Sequence, residues 1–434
     1  MRVLIPLLLV FGLAAVAVAG EAVNAPLPQP LTLESALTVA DAEHPEQMAA
    51  RARVEAAEAG IAVAEAPGGW RAGSDARLAV VGPPAEFYDS DTREDHYARV
   101  YLSRTVIDFG RTEAARGQAR ARFEAAEHRF QTARQSRRLQ IMRHYFDVVL
   151  ADMNFNHATE HMAIVYVGLS RLRDRHELGQ VSDVELAERE AEYQRALSQR
   201  TRAVQEQRAS RNRLAAVLNQ PGSPPNRVRP PPLPVLEREL PDLDALRTAV
   251  RDHNPELLAL RQEVAARQAA VRQAEKLIAP SLDFEVAGYA WSESQRSRND
   301  WEAALRLDVP FHQGGARSAR RGQARAELRE VQARLRQTEM ELDQAVLEAW
   351  LELHNLRGDR AAADAERDYR ELYLSYSRAL YQMEVTADLG DSMVRLTDAQ
   401  RRQAETAFNI AMAWGRIDAL RGGMPSPGRE GDWP

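Results

Sequence analysis

Two aspartates near the C-terminal end, Asp388 and Asp391, stand three residues apart, so on a helix both carboxylates lie on one face. The same pair could equally cap a helix at Asp388 and occupy its first turn at Asp391, where carboxylates are favoured. Asp183, in the run Leu178-Gly179-Gln180-Val181-Ser182-Asp183-Val184, has the same two options of capping a helix or pairing between neighbouring coils. His157 and His161 are four apart, a spacing that can hold a metal, but no third ligand is evident and no metal site is expected. Acids and histidines abound without a nucleophile motif, a phosphate loop or a clustered metal signature. The chain therefore reads as a protein without enzymatic chemistry and without a cofactor.

The elements that must position these residues follow from periodicity. In SLDFEVAGYAW, Leu282, Phe284 and Val286 alternate with Asp283, Glu285 and Ala287; in WEAALRLDV, Trp301, Ala303, Leu305, Leu307 and Val309 alternate with Glu302, Ala304, Arg306 and Asp308. These are two strands. DARLAVVG and HYARVYLSRTV supply a second, less regular pair, giving four strands in the chain. Trp70, Tyr88, Tyr97, Tyr101, Tyr289, Trp291 and Trp301 lie in or near these strands, as an aromatic girdle or as ordinary sheet packing. A proline-free helical stretch follows each pair, from Gly110 to about Leu178 and from Gly315 to about Met383, each able to extend roughly 100 Å. Leu139, Met142, Phe146, Val149 and Met153 alternate steps of three and four, as do Tyr369, Tyr373, Tyr376, Leu380 and Met383, which predicts two coiled-coil seams. A second helix follows in each half, from Asp183 to Asn219 and from Asp388 to about Leu420.

The halves are copies. RGQARA occurs at Arg116–Ala121 and again at Arg321–Ala326, and Asp183 answers Asp388. Upstream, His44-Pro45-Glu46 answers Asn254-Pro255-Glu256. With Ala64-Glu65 answering Ala274-Glu275, four landmarks in one order mark an internal duplication. Residues 1–19 read as a secretory signal peptide ending Ala17-Val18-Ala19, with a signal anchor as the alternative. The first repeat spans 20–220, a proline-rich extended linker 221–241, the second repeat 242–422, and a loose tail 423–434. The charge of −6 is mixed and mildly acidic, which argues against nucleic acid as a partner. With no cysteine, neither a disulfide nor a lipid anchor on cysteine is available.

Four strands with one apolar face suit a membrane-spanning sheet, with Leu282, Phe284, Leu305 and Leu307 toward lipid. One chain cannot close a barrel, so two copies giving eight strands, three giving twelve, or more would be needed. A soluble sheet packed on helices is the alternative. The order of elements, with Val309-Pro310-Phe311-His312-Gln313-Gly314-Gly315 before the second long helix, Val106-Ile107-Asp108-Phe109-Gly110-Arg111 before the first, and Leu178 to Val184 at the turn, resembles the TolC-like outer membrane efflux proteins.

The resemblance implies a mainly α fold with a small β part: a homotrimer whose twelve strands form one transmembrane β-barrel and whose helices form a periplasmic tunnel. It implies an exit duct for a tripartite efflux pump or type I secretion system, in the outer membrane of a Gram-negative bacterium. The implied partners are outer membrane lipid, a periplasmic adaptor and an inner-membrane transporter of the RND or ABC type. It also implies that Asp388 and Asp391 ring the pore entrance, where six carboxylates around one axis would favour cations. A basic and aromatic latch is expected just before that turn, but Glu384 stands where a basic residue would be, with Arg378 and Tyr381 about a turn earlier. A periplasmic adaptor or a secreted coiled-coil scaffold are the competing classes.

Overall fold

In chain order the elements are α1 (Leu33–Ala40), α2 (Pro45–Glu65), β1 (Arg71–Arg77), β2 (Tyr97–Ile107), α3 (Arg111–Glu177) and α4 (Asp183–Val217), then α5 (Leu243–His253), α6 (Pro255–Glu275), β3 (Ser281–Trp291), β4 (Trp301–Asp308), α7 (Ala316–Gln382) and α8 (Leu389–Leu420). One order of elements is thus traced twice. This computed structural model describes residues 27–40, 44–82, 93–276, 279–292, 299–311, 314–383 and 389–426. Asp388, Glu384, Tyr88 and the expected signal peptide lie outside the described residues.

The duplicated landmarks have local physical roles. His44 and Asn254 are N-caps whose side chains accept from the Glu46 N–H and from the Glu256 and Leu257 N–H groups, and Pro45 and Pro255 occupy the first helical position, where no donor is lost. At the corner from sheet to long helix, Phe109 and Gly110 in one half and Gly314 and Gly315 in the other take positive φ. Asp108 secures the first corner by accepting from the Gly110 and Thr112 N–H groups. Burial alone would raise its pKa, but those hydrogen bonds outweigh it and hold the carboxyl below its ordinary range. RGQARA lies where α2 and α6 run beside the long helices: Arg116 pairs with Glu65 at 2.7 Å and Arg325 with Glu275 at 3.0 Å, while Ala121 and Ala324 are buried. Each copy thus ties its long helix to the helix beside it, through the first arginine of the hexamer in one half and the second in the other.

α3 and α7 each run 67 residues without a break. Alanines recur among the buried positions of the helical layer, Ala125 and Ala158 on α3, Ala196 and Ala203 on α4 and Ala266 and Ala269 on α6, and they let helices approach closely but bury little area each. The large side chains gather at one level. Ile141, Met142, Tyr145, Phe146 and Val149 of α3 meet Val346 and Leu353 of α7 and Phe408, Trp414 and Ile417 of α8, with α1 and α5 closing the cluster. Phe146 and Phe408 stack with centroids 4.5 Å apart.

The expected seam in α3 is therefore core at its centre. The one in α7 is not: Tyr369, Tyr373, Tyr376 and Met383 are exposed, and α7 instead buries Leu374 and Ser377, one position round the helix. Small residues there allow a close α7–α8 contact, in which the Ser377 and Ser392 hydroxyls bond at 3.0 Å.

The proline-rich stretch is extended in part, yet it is bound tightly into this belt. Leu31 and Val228 form a parallel bridge, and Tyr145 donates to the carbonyls of Leu31 and Arg229. That burial pushes the tyrosine pKa up to about 12. Trp350 donates to the Pro241 carbonyl, and Val235 is fully buried. Arg238, also buried, makes two bonds of 2.9 and 3.0 Å to Asp418 and lies 4.0 Å over the Trp414 ring.

Asp418→Ala would leave that guanidinium buried without its carboxylate, at a cost of about 3 kcal/mol. We expect a clearly lower thermal midpoint for the purified protein, whereas Trp414→Phe, which keeps the ion pair, should cost less.

Candidate functional site

The sheet is the first feature built for a special environment. Its order is β1-β2-β3-β4, antiparallel throughout, with β1 and β4 at the edges. Neither face is covered by a helix among the described residues. This removes the alternative of a soluble sheet packed on helices. The first strand begins earlier than the sequence pattern suggests, at Arg71, because its outward positions are only Ala72, Ser74 and Ala76 and show no apolar alternation. Val80–Val81 form instead a two-residue ladder with Arg93–Glu94.

Register sorts the side chains. Leu282 faces Leu307, Phe284 faces Leu305 and Val286 faces Ala303, so the four residues expected on the lipid side share one face. Val100 and Leu102 join them through their pairing with Gly288 and Val286. This apolar face is open: Val100 is 66% exposed, Leu305 67% and Leu307 63%. The opposite face carries the charges. Arg99 pairs with Glu285 at 2.5 Å and lies 3.8 Å from Asp75, and Thr105 donates to Asp283 at 2.6 Å. Ala287 on this face is 2% exposed, sheltered by longer neighbours. Gly73 sits opposite Tyr101, where any Cβ would strike the tyrosine ring.

The aromatic residues divide between the faces. Trp70 packs edge-on against Phe284, with Arg104 over its ring, and Trp301 stands 70% exposed at the apolar face's far end. Tyr97, Tyr101, Tyr289 and Trp291 lie on the charged face, so they form no outward girdle.

The second feature is the pair of helix-to-helix tips. Gly179, with φ of 72°, ends α3. Ser182 is the N-cap of α4, and Asp183 reaches back to His176 at 2.7 Å; with Arg173–Glu190 at 2.8 Å it clasps the hairpin. Leu178 and Val184 stay exposed there. At the other tip Asp391 lies in the first turn of α8, bonded to Arg395 one turn on. Gly390 touches α3: a Cβ added there would sit 2.9 Å from Ile164 Cγ2. Arg378 and Tyr381 are both exposed on the last turns of α7.

His157 and His161 stack with ring centroids 6.4 Å apart, and His157 Nδ1 lies 3.3 Å from the Thr397 hydroxyl. Burial, with the cations of His161 and Arg401, holds the His157 pKa below its ordinary value despite Asp398. Among the described residues no group of three metal-ligating side chains forms, and no helix is long and apolar enough to cross a membrane.

Comparison with known proteins agrees with this geometry. The family model described as outer membrane efflux protein matches residues 36–220 and 246–423, one segment in each half. The chain belongs to the outer membrane efflux protein family. It is similar to Protein CyaE of Bordetella pertussis, at 25% identity over 360 residues, covering 80% of this chain and 75% of CyaE. Its fold is similar to that of the Campylobacter jejuni CmeC outer membrane channel, with a TM-score of 0.76, 15% identity, and coverage of 92% of this chain and 87% of CmeC. The outer membrane protein VceC of Vibrio cholerae gives a TM-score of 0.72 at 17% identity, with coverage of 91% and 97%.

The efflux protein is thus an exit channel of the outer membrane with a periplasmic helical part, of TolC-like fold, and its family and fold are those of channels rather than enzymes. TolC-like channels form trimers and work with adaptors and inner-membrane transporters. The charged cluster on the sheet and the Ser377–Ser392 bond are structural features that sequence reading missed. Alternating Tyr97, Arg99 and Tyr101 against Asp283 and Glu285 was the available signal for the first; nothing local marks the second.

Because Gly390 keeps α8 against α3, Gly390→Val should push the second tip outward. We expect a larger single-channel conductance from normally assembled protein; unchanged conductance would mean that this contact does not hold the tip.

Proposed function

We propose that three copies of this chain close a twelve-stranded barrel and act as a passive exit duct, with a periplasmic adaptor docked on the helical tips and an inner-membrane transporter supplying the energy. The observation that carries this reading is the inside-out sheet. An apolar face open along its length, a charged face braced by its own ion pairs and two unpaired edges fit lipid outside, water inside and neighbouring copies at both sides. Exposed Tyr369, Tyr373 and Tyr376 on α7 supply further apolar surface for a neighbouring stave to cover, and exposed Leu178 and Val184 suit docking at the tip.

In this duct Asp388 and Asp391 form the constriction. Three copies would place six carboxylates around one axis, favouring cations. Glu384, Arg378 and Tyr381 would take part in gating or coil pairing, and Asp183 in holding its own hairpin. Protein extracted from isolated outer membranes in mild detergent should have the mass of a trimer after correction for bound detergent; a soluble periplasmic monomer or dimer would overturn the duct.

Replacing Asp388 and Asp391 together by Ser should weaken cation selectivity in single-channel recordings, and unaltered selectivity would remove both from the constriction. Leu305→Arg or Leu307→Arg should cut trimer yield, since a lipid-facing charge near the bilayer midplane costs about 2 to 4 kcal/mol. Normal yield from both would mean the sheet faces the other way.

A further inference from the structure

The aromatic residues on the charged face have no part in the duct described so far. Tyr97 and Trp291 are register partners on the two central strands, with ring centroids 5.3 Å apart. Tyr289 and Trp291 stack at 5.4 Å with an interplanar angle of 12°, and Tyr97 meets Tyr289 at 6.2 Å. The indole is fixed by its N–H, which donates to the Asn299 carbonyl at 3.1 Å. Beneath the three rings Arg99 lies 5.9 Å from the Tyr289 ring and 4.6 Å from Tyr101, braced by Glu285 and Asp75. All three rings are partly exposed, and among the described residues no helix covers them.

Position gives the cluster its meaning. Both long helices attach at the Ile107 and Asp308 ends of their strands, whereas Tyr97, Trp291 and Trp301 stand at the opposite end. Large rings on a water-facing surface lose the hydrophobic gain that would place them on the lipid face, where Trp301 sits. Ordinary sheet packing thus does not account for their side.

We propose that Tyr97, Tyr289 and Trp291 form an aromatic collar inside the outer mouth of the barrel, which narrows the exit and briefly holds planar aromatic solutes by stacking. The collar rests on the barrel reading above. Since β2 and β3 are the middle strands of each chain, three copies would set three clusters 120° apart around the lumen, an order-of-symmetry consequence of three equal four-strand arcs. Twelve strands about 4.8 Å apart and tilted about 40° enclose a backbone diameter of about 24 Å, so rings projecting inward from three sides reduce the free bore substantially. Rings that are partly exposed on this face favour flat apolar solutes in offset or edge-on contact.

The test uses the purified wild-type protein in planar bilayers with N-acetyltryptophanamide, a neutral planar probe, added on the outer side, and N-acetylalaninamide as the control. Wild type should show brief partial blockades with the first amide and none with the second. Trp291→Ala and Tyr289→Ala should raise the open conductance and weaken the blockade about fivefold, the factor that one stacking contact is worth. Trp291→Phe, which keeps a ring, should retain most of the blockade and guards against a loss caused by misassembly. Wild-type conductance and blockade in both alanine variants would overturn the collar. Wild-type protein that forms no channel would overturn the barrel beneath it, a separate result seen before any variant is compared.

Discussion

A backbone amide without a partner is tolerable in water and costly in hydrocarbon, and this sheet has a row of them along each edge. The sheet also cannot turn to suit water, because its open face carries Leu, Val, Phe and Trp, with Arg104 at the end nearest the helices, while Arg99, Glu285 and Asp75 pair on the other side. Among the described residues no helix covers either face. The two constraints have one joint solution, which is to pair edges with further copies in lipid. From that follows the rest of the architecture: a chain that supplies an arc of wall must also supply staves beneath it, and staves one helix thick have little interior.

That thinness explains where the core lies. Helices in a single curved layer meet only their neighbours, and small contacts such as Ala125 and Ala158 of α3, Ala196 and Ala203 of α4 and Ala266 and Ala269 of α6 bury little apolar area each. The belt around Tyr145, Phe146, Phe408 and Trp414 compensates, since extra layers are added there by α1, α5 and the proline-rich segment. Burying Arg238 and Tyr145 in that belt would be costly alone. Arg238 is met by a carboxylate and an indole and Tyr145 by two carbonyls, and both tie the proline-rich segment in place.

Much of this was legible in the sequence for a physical reason. Duplicated caps such as His44-Pro45 and Asn254-Pro255, proline-free helices and the alternation around Leu282 and Leu305 are local signals, and local signals survive in one dimension. The first strand was misplaced because Ala72, Ser74 and Ala76 carry too little hydrophobicity to mark a face. The α7 seam was misread because a heptad of tyrosines specifies an apolar stripe but not its occupant; Ser377, one position away, wins the intrachain contact by being small. The side chosen by Tyr97, Tyr289 and Trp291 depends on register, which no single strand reveals.

The two repeats hold their tips by different described contacts. The α3–α4 hairpin is closed by charge, through His176–Asp183 and Arg173–Glu190, and by a capped turn. Among the described residues of the α7–α8 tip the Ser377 and Ser392 hydroxyls bond, Gly390 seats on Ile164 of α3, and Asp391 pairs with Arg395 along α8. In the proposed duct the second hairpin is taken as the one that swings, since its α8 rests on α3 through that glycine. Placing the carboxylates of the constriction on it joins selectivity to opening, because the helix that carries Asp391 is the helix whose seat on α3 must yield.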